Sequence, residues 1–107
     1  MKVKIKPMSV NQAWQGRRYK TPEYKAFRER LQWMLKDYVI PDGSLKLTIE
    51  FGVSNMAFDV DNGLKPFIDA LQDRYDFNDN RITELIARKH KTTKGHEYIN
   101  WSLQGDY

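Results

Sequence analysis

Leu45, Leu47, Ile49, Phe51 and Val53 alternate with Lys46, Thr48, Glu50 and Gly52, and this alternation constrains the fold more than any other stretch of the chain. Side chains repeat every two residues along a strand, so one face here is apolar and the other polar. The apolar face must be covered by something else. The rest of the chain has to supply that cover.

Two segments have the right pattern. Thr21-Pro22-Glu23 reads as a helix start, with Thr as N-cap, Pro at the first helical position and Glu favoured by the helix dipole. Tyr24, Phe27, Leu31, Met34, Leu35 and Tyr38 follow at helical spacing, so this helix is expected to run to about Asp37. Val60, Leu64, Phe67, Ile68 and Leu71 fit a second amphipathic helix. Pro66 removes a backbone donor from it, so the regular helix is expected near Lys65, with 60–64 as a looser first turn.

The remaining segments are shorter. "KVKIK" alternates like a half-exposed strand, and 7–21 reads as a polar loop without a period. "PDG" at 41–43 is a turn. Residues 82–91 and 96–104 read as two strands joined by a hairpin turn around "TTKG", although "ITELIARK" also fits a helical spacing. The order β–α–β–α–β–β predicts a two-layer α+β fold, with both helices on one side of a mixed sheet. A chain of 107 residues suits a single domain spanning 1–107 with one core.

The composition excludes several classes. No apolar run approaches the roughly 18 residues of a membrane span, and "MKVKIKPMSV" lacks the apolar core of a signal peptide. The expected location is the cytoplasm. With no cysteine, disulfides, thiol nucleophiles and cysteine zinc sites are all excluded. Net charge is only +4, but it is unevenly spread. Residues 1–36 hold ten Lys and Arg against Glu23 and Glu29, whereas 59–79 hold six Asp against Lys65 and Arg74. Such blocks can be ordinary solvated faces, or a basic surface for a polyanion beside an acidic site for a cation.

The acidic block has internal order. In "FDVDNGLKPFIDAL", Asp59 and Asp61 would point to the same side if the chain were still extended there. Two converging carboxylates repel each other unless a cation is present. Oxygen donors without nearby Cys or His suit Mg²⁺ or Mn²⁺ rather than zinc. Lys65 lies four residues after Asp61, and Asp69 four after Lys65. That spacing fits an ion-pair ladder as well as it fits a lysine poised over a phosphate. Asp79, in "FNDN", is either a turn residue or a third carboxylate brought back beside the strand.

"DVDNGLKPFIDAL" followed by "FNDNRITEL" resembles the RusA-type Holliday-junction resolvases, with their motif D-x-D-N-x-x-K-x-x-x-D-x-L and a later Asp-containing turn. The specific part of the likeness is 59–86; the first half of the chain matches in outline. The resemblance implies a small homodimeric crossover junction endodeoxyribonuclease of phage or prophage origin, acting in a bacterial host on DNA recombination and repair. It would use Mg²⁺, or Mn²⁺ in its place, to cut four-way junctions by paired nicks. Asp59, Asp61 and Asp79 take the metal-ligand positions, Lys65 that of the essential lysine, and Asp69 another recurrent acidic position. Asn78 stands where the family can carry a second acidic residue, a departure that removes a fourth carboxylate.

On this reading Arg17, Arg18 and Lys20 would bind the DNA backbone. Trp14 and Tyr19 would either stack on exposed bases or pack on the domain surface. His90 and His96 would lie on the surface or contact phosphate. Two alternatives stay open: a catalytically silent module that binds branched DNA, and a nuclease that prefers flaps or other branches.

Overall fold

In the computed structural model, the described residues are 1–10, 14–15 and 19–106, with the backbone alone described at 14, 15, 19 and 20. β1 (Lys2–Val3), the short β2 (Trp14–Gln15) and β3 (Tyr19–Lys20), and helix α1 (Pro22–Met34) come first. β4 (Leu45–Val53), helix α2 (Val60–Tyr75), a 3-10 turn (Asp79–Arg81), β5 (Ile82–Lys91) and β6 (Tyr98–Gly105) follow. The main sheet is mixed, in the order β1-β6-β4-β5, and the fold is the expected α+β arrangement. Among the described residues, no helix is long and apolar enough to cross a membrane.

β4 is the alternating segment, and it lies inside the sheet. Leu45, Leu47, Ile49, Phe51 and Val53 are buried on the face covered by Phe27 and Leu31 of α1 and by Phe67, Ala70 and Leu71 of α2. Ile99, Trp101 and Leu103 extend that face across β6, where Trp101 faces Ile49 in register. Lys46, Thr48 and Glu50 are half-buried on the opposite, polar face. The pattern of β4 therefore did specify one covered face.

The hairpin expected around "TTKG" does not form. β5 pairs with β4 in parallel, from Leu45↔Ile82 to Val53↔Lys91, and β6 pairs with the other edge of β4 in antiparallel register. The connection between β5 and β6 crosses the end of β4, where Thr92 N donates to Val53 O at 2.8 Å. The hydrophobic demand of β4 explains this. A central position covers both of its edges, whereas a β5–β6 hairpin would leave one open. The register with β4 also settles 82–91 as a strand rather than a helix.

Three boundaries differ from the sequence reading. Within 7–21, β2 and β3 form a short antiparallel ribbon, with Trp14↔Lys20 in register. Helix α1 ends at Met34 because Leu35 turns extended (φ −73°, ψ 124°). Leu35 and Tyr38 still serve the core side: Leu35 is buried, and the Tyr38 hydroxyl donates to Leu103 O at 2.5 Å. Helix α2 is regular from Val60, not from Lys65, and carries Pro66 inside it. Pro66 is buried, as are Gly63, Phe67, Ala70 and Leu71, so packing overrides the missing hydrogen bond.

Phe67 joins the two layers: it is fully buried, and its ring meets Trp101 at 6.1 Å between centroids. Phe67→Ala should lower unfolding stability by about 3–5 kcal/mol, read as a shift of the urea midpoint with little change in slope.

Candidate functional site

β4 leaves the sheet at Val53 and passes through 54–58 into α2. Asn55 shapes this loop, its side-chain oxygen accepting from Ala57 N at 2.9 Å. Phe58 anchors the loop from below, its ring meeting Phe51 of β4 edge-on at 5.4 Å and 61°. Lys89 of β5 holds it from the side, donating through Nζ to Met56 O at 2.7 Å and Phe58 O at 2.9 Å. Gly63 is what lets Phe58 sit so close. A Cβ there would overlap the Phe58 ring and approach Phe51 Cζ to 3.2 Å.

These contacts fix Asp59 as the N-cap of α2, with extended backbone (φ −88°, ψ 125°). Its carboxylate does not cap the helix; it accepts from Asn62 Nδ2 at 3.3 Å and is otherwise directed to solvent. Asp61 is exposed in the first helical turn. The two therefore do not share a side through strand alternation, because the chain is helical from Val60. They flank a helix N-terminus, where the positive end of the dipole favours negative charge.

A cleft of about 370 Å³ opens beside Asp59, with Lys6, Ser54, Asn55, Asn62 and Glu97 among its lining. Glu97 is a residue the sequence reading did not single out. Its carboxylate accepts from Gly95 N at 2.8 Å and Ser54 Oγ at 3.0 Å. Its own backbone N–H, those two donors and the Lys6 charge hold it below the usual carboxylate range. No spacing in the sequence links it to Asp59; only the passage of 92–97 over the end of β4 brings it there. The same end of the sheet carries His90 and Lys91, since Lys91 is the register partner of Val53.

Lys65 is 60% exposed, and its Nζ lies 3.5 Å from Asp69 Oδ2, so the ladder step that forms is Lys65–Asp69. Asp69 also accepts from the Tyr24 hydroxyl at 3.3 Å and from Gln72 Nε2 at 3.4 Å, which ties α1 to α2. Burial, and then the charge of Asp69, push the Tyr24 hydroxyl above its ordinary range.

Asp79 stands elsewhere. It opens the 3-10 turn capped by Asn78, whose Oδ1 accepts from Asn80 N at 2.9 Å, so the turn reading of "NDN" describes its local structure. Asp79 N donates to Gln72 Oε1 at 2.9 Å, near the far end of α2. Arg81, which closes the turn, donates to the Pro41 and Gly43 carbonyls, just ahead of β4. A 16-residue helix is about 24 Å long, and within one chain it separates Asp79 from Asp59 and Asp61. Among the described residues, no three His, Asp or Glu side chains of one chain could share a metal ion. Asp59 and Asp61 nevertheless offer exposed oxygen donors, which suits a cation that takes one or two carboxylates and completes its shell with water and phosphate.

Of the residues expected to meet DNA, Arg17 and Arg18 lie outside the described residues. Trp14 and Lys20 face each other in register in the β2–β3 ribbon. The family model described as "Endodeoxyribonuclease RusA" matches residues 3–100. No curated protein matches the chain.

Gly63→Ala separates packing from helix propensity. Alanine would favour the helix by about 1 kcal/mol, yet the overlap with Phe58 should lower the thermal midpoint and speed hydrogen exchange across 55–59. A midpoint at or above that of the parent would show that Phe58 is not pinned by Gly63.

Proposed function

The chain belongs to the RusA family of endodeoxyribonucleases, and from that premise we propose that it is a magnesium-dependent homodimeric nuclease that cuts four-way DNA junctions. The observation that carries the reading is the pair of exposed carboxylates, Asp59 and Asp61, at a helix N-terminus beside a cleft that Lys6 also lines. Asp59 and Asp61 would hold the metal ion, with Mn²⁺ able to replace Mg²⁺. When bound, such an ion supplies an activated water and stabilises charge on the departing 3′ oxygen.

The chain's own residues do the rest. Lys65, exposed one turn beyond Asp61, would give up Asp69 and neutralise charge on the scissile phosphate. Asp69 keeps its contacts to Tyr24 and Gln72 in that exchange, so the helix pair need not move. The end of β5 and Lys6 would bind the flanking backbone as sequence-independent phosphate contacts. The products would be a 5′ phosphate and a 3′ hydroxyl.

Asp79 bears on the assembly. It cannot reach Asp59 within its own chain, so on this reading it completes the site of a second copy. A two-fold dimer would then present two sites to a substrate that has two-fold symmetry. Both nicks could fall within the life of one complex.

Synthetic four-way, flap and linear duplex DNA, each with Mg²⁺ or with EDTA, test the reading. Cutting should be confined to the junction and stop with EDTA; preference for flaps, or no cutting with intact binding, would favour the two alternatives. Asp61→Asn should reduce cutting by about 100-fold or more, with junction binding retained. Undiminished cutting by that variant would overturn the site. Arg17→Ala combined with Arg18→Ala should weaken binding to every DNA and flatten its salt dependence by about one unit per lost phosphate contact.

A further inference from the structure

We propose that the outer edge of β5 is the seam of the homodimer, where β5 pairs antiparallel with its own copy about Ile86 and continues the sheet across both chains. The inference rests on the homodimeric reading above. It adds the surface and the register.

β5 has ten residues and pairs with β4 along one edge; among the described residues, its other edge carries no strand. A free edge of that length leaves a row of unpaired N–H and C=O groups, which is a template for another strand. Leu85 and Ile86, on opposite faces at the middle of β5, are 43% and 42% exposed. The strand is thus apolar on both faces at its centre and covered on neither.

The charges of β5 are complementary to themselves. Glu84 and Arg88 lie two residues either side of Ile86. In an antiparallel pair centred on Ile86, Glu84 faces the partner's Arg88, Arg88 faces the partner's Glu84, and Leu85 faces the partner's Ala87. Within the chain, Lys46 of β4 already lies 4.0 Å from Glu84, and Arg88 Nε 3.1 Å from Glu50. Each row across the seam would then run Lys46, Glu84, Arg88, Glu50, alternating in sign at every step. Opposite charges facing each other across a strand pair stabilise it, and like charges oppose it. Keeping the helices of both copies on one face allows only shifts that preserve the face of each side chain. The nearest such shifts set Ile86 against Glu84 or Arg88 and lose both ion pairs.

The register also has a consequence at the site. It sets Ile82 opposite the partner's His90, so Asp79, three residues earlier, arrives at the exit end of the partner's β4. Asp59 and Asp61 stand at that end of each chain.

Sedimentation of the full-length chain tests this with charge swaps. Glu84→Arg and Arg88→Glu, each alone, should raise the dimer dissociation constant by about tenfold or more, because like charges then face each other twice. Mixing the two variants should restore the dimer, since each offers the sign that the other lacks; that rescue also shows both are folded. The chain has no cysteine, so Ile86→Cys gives a clean second measurement. Paired strands hold facing Cα atoms about 4.5–5.5 Å apart, within the span of a disulfide. Mild oxidation should link two copies through that position, but not through Val39→Cys, placed at a site 89% exposed and outside β5. A parent chain that is monomeric alone and on a junction would overturn both the homodimer and the seam. A dimeric parent whose two charge variants stay dimeric, with Ile86→Cys unlinked, would overturn the seam and leave the homodimer standing.

Discussion

The backbone of β4 is hydrogen-bonded along both edges, to β5 in parallel and to β6 in antiparallel register, and most of the structure follows from that. An antiparallel neighbour can be reached by a short connection, but a parallel one needs a crossover that returns to the starting end of the sheet. Helix α2 is that crossover. Its N-terminus must therefore lie where β4 exits, and its C-terminus where β5 begins. Asp59 and Asp61 are held at the first place and Asp79 at the second, so the sheet pairing fixes which acidic residues can meet.

Helix α2 forms against its local preferences. Pro66 in a helix interior costs about 3 kcal/mol, and Gly63 about 1 kcal/mol relative to alanine. Against this, Phe67 and Leu71 are fully buried, each worth about 1.5–3 kcal/mol. Pro66 is itself buried, so part of its cost returns as apolar contact. Gly63 returns nothing through its own side chain. Its benefit is the close seat for Phe58, which with Lys89 sets the turn that makes Asp59 the N-cap. The unfavourable residues of α2 are thus grouped where the helix meets the loop of the site.

Periodicity made β4 and the two helices legible in the sequence, because each buries one regular face. The helix starts were legible to different degrees. Thr21 caps α1 as its chemistry suggests, accepting from Tyr24 N at 3.2 Å. The start of α2 was misplaced because Pro66 is a local signal, whereas the packing that overrides it is not local. The β5–β6 hairpin failed for a related reason: a turn signal such as "TTKG" says that the chain bends, not which strand it will join. The acidic motif was legible as a cluster of charged residue types at regular spacing. Its geometry was not, since one strand period was extended past the point where the helix begins. Glu97 was invisible, because its place beside Asp59 depends wholly on how the 92–97 connection crosses β4.

The distance between Asp79 and the Asp59–Asp61 pair also has an electrostatic logic. Three carboxylates gathered in a chain without a cation would repel one another, and their mutual repulsion would oppose folding. In the isolated chain Asp79 instead opens a solvated turn capped by Asn78, while Asp59 and Asp61 sit at the favourable end of a helix dipole. Within one chain, neither place therefore gathers all three carboxylates. If two copies supply the full set, as proposed, the repulsion arises only when they assemble, where a divalent cation can offset it. Metal binding and association would then favour each other by linkage, since a ligand that binds only the assembled form stabilises that form. The alternating charges along β5 supply attraction that does not depend on the metal, so the copies would not have to wait for the cation to meet.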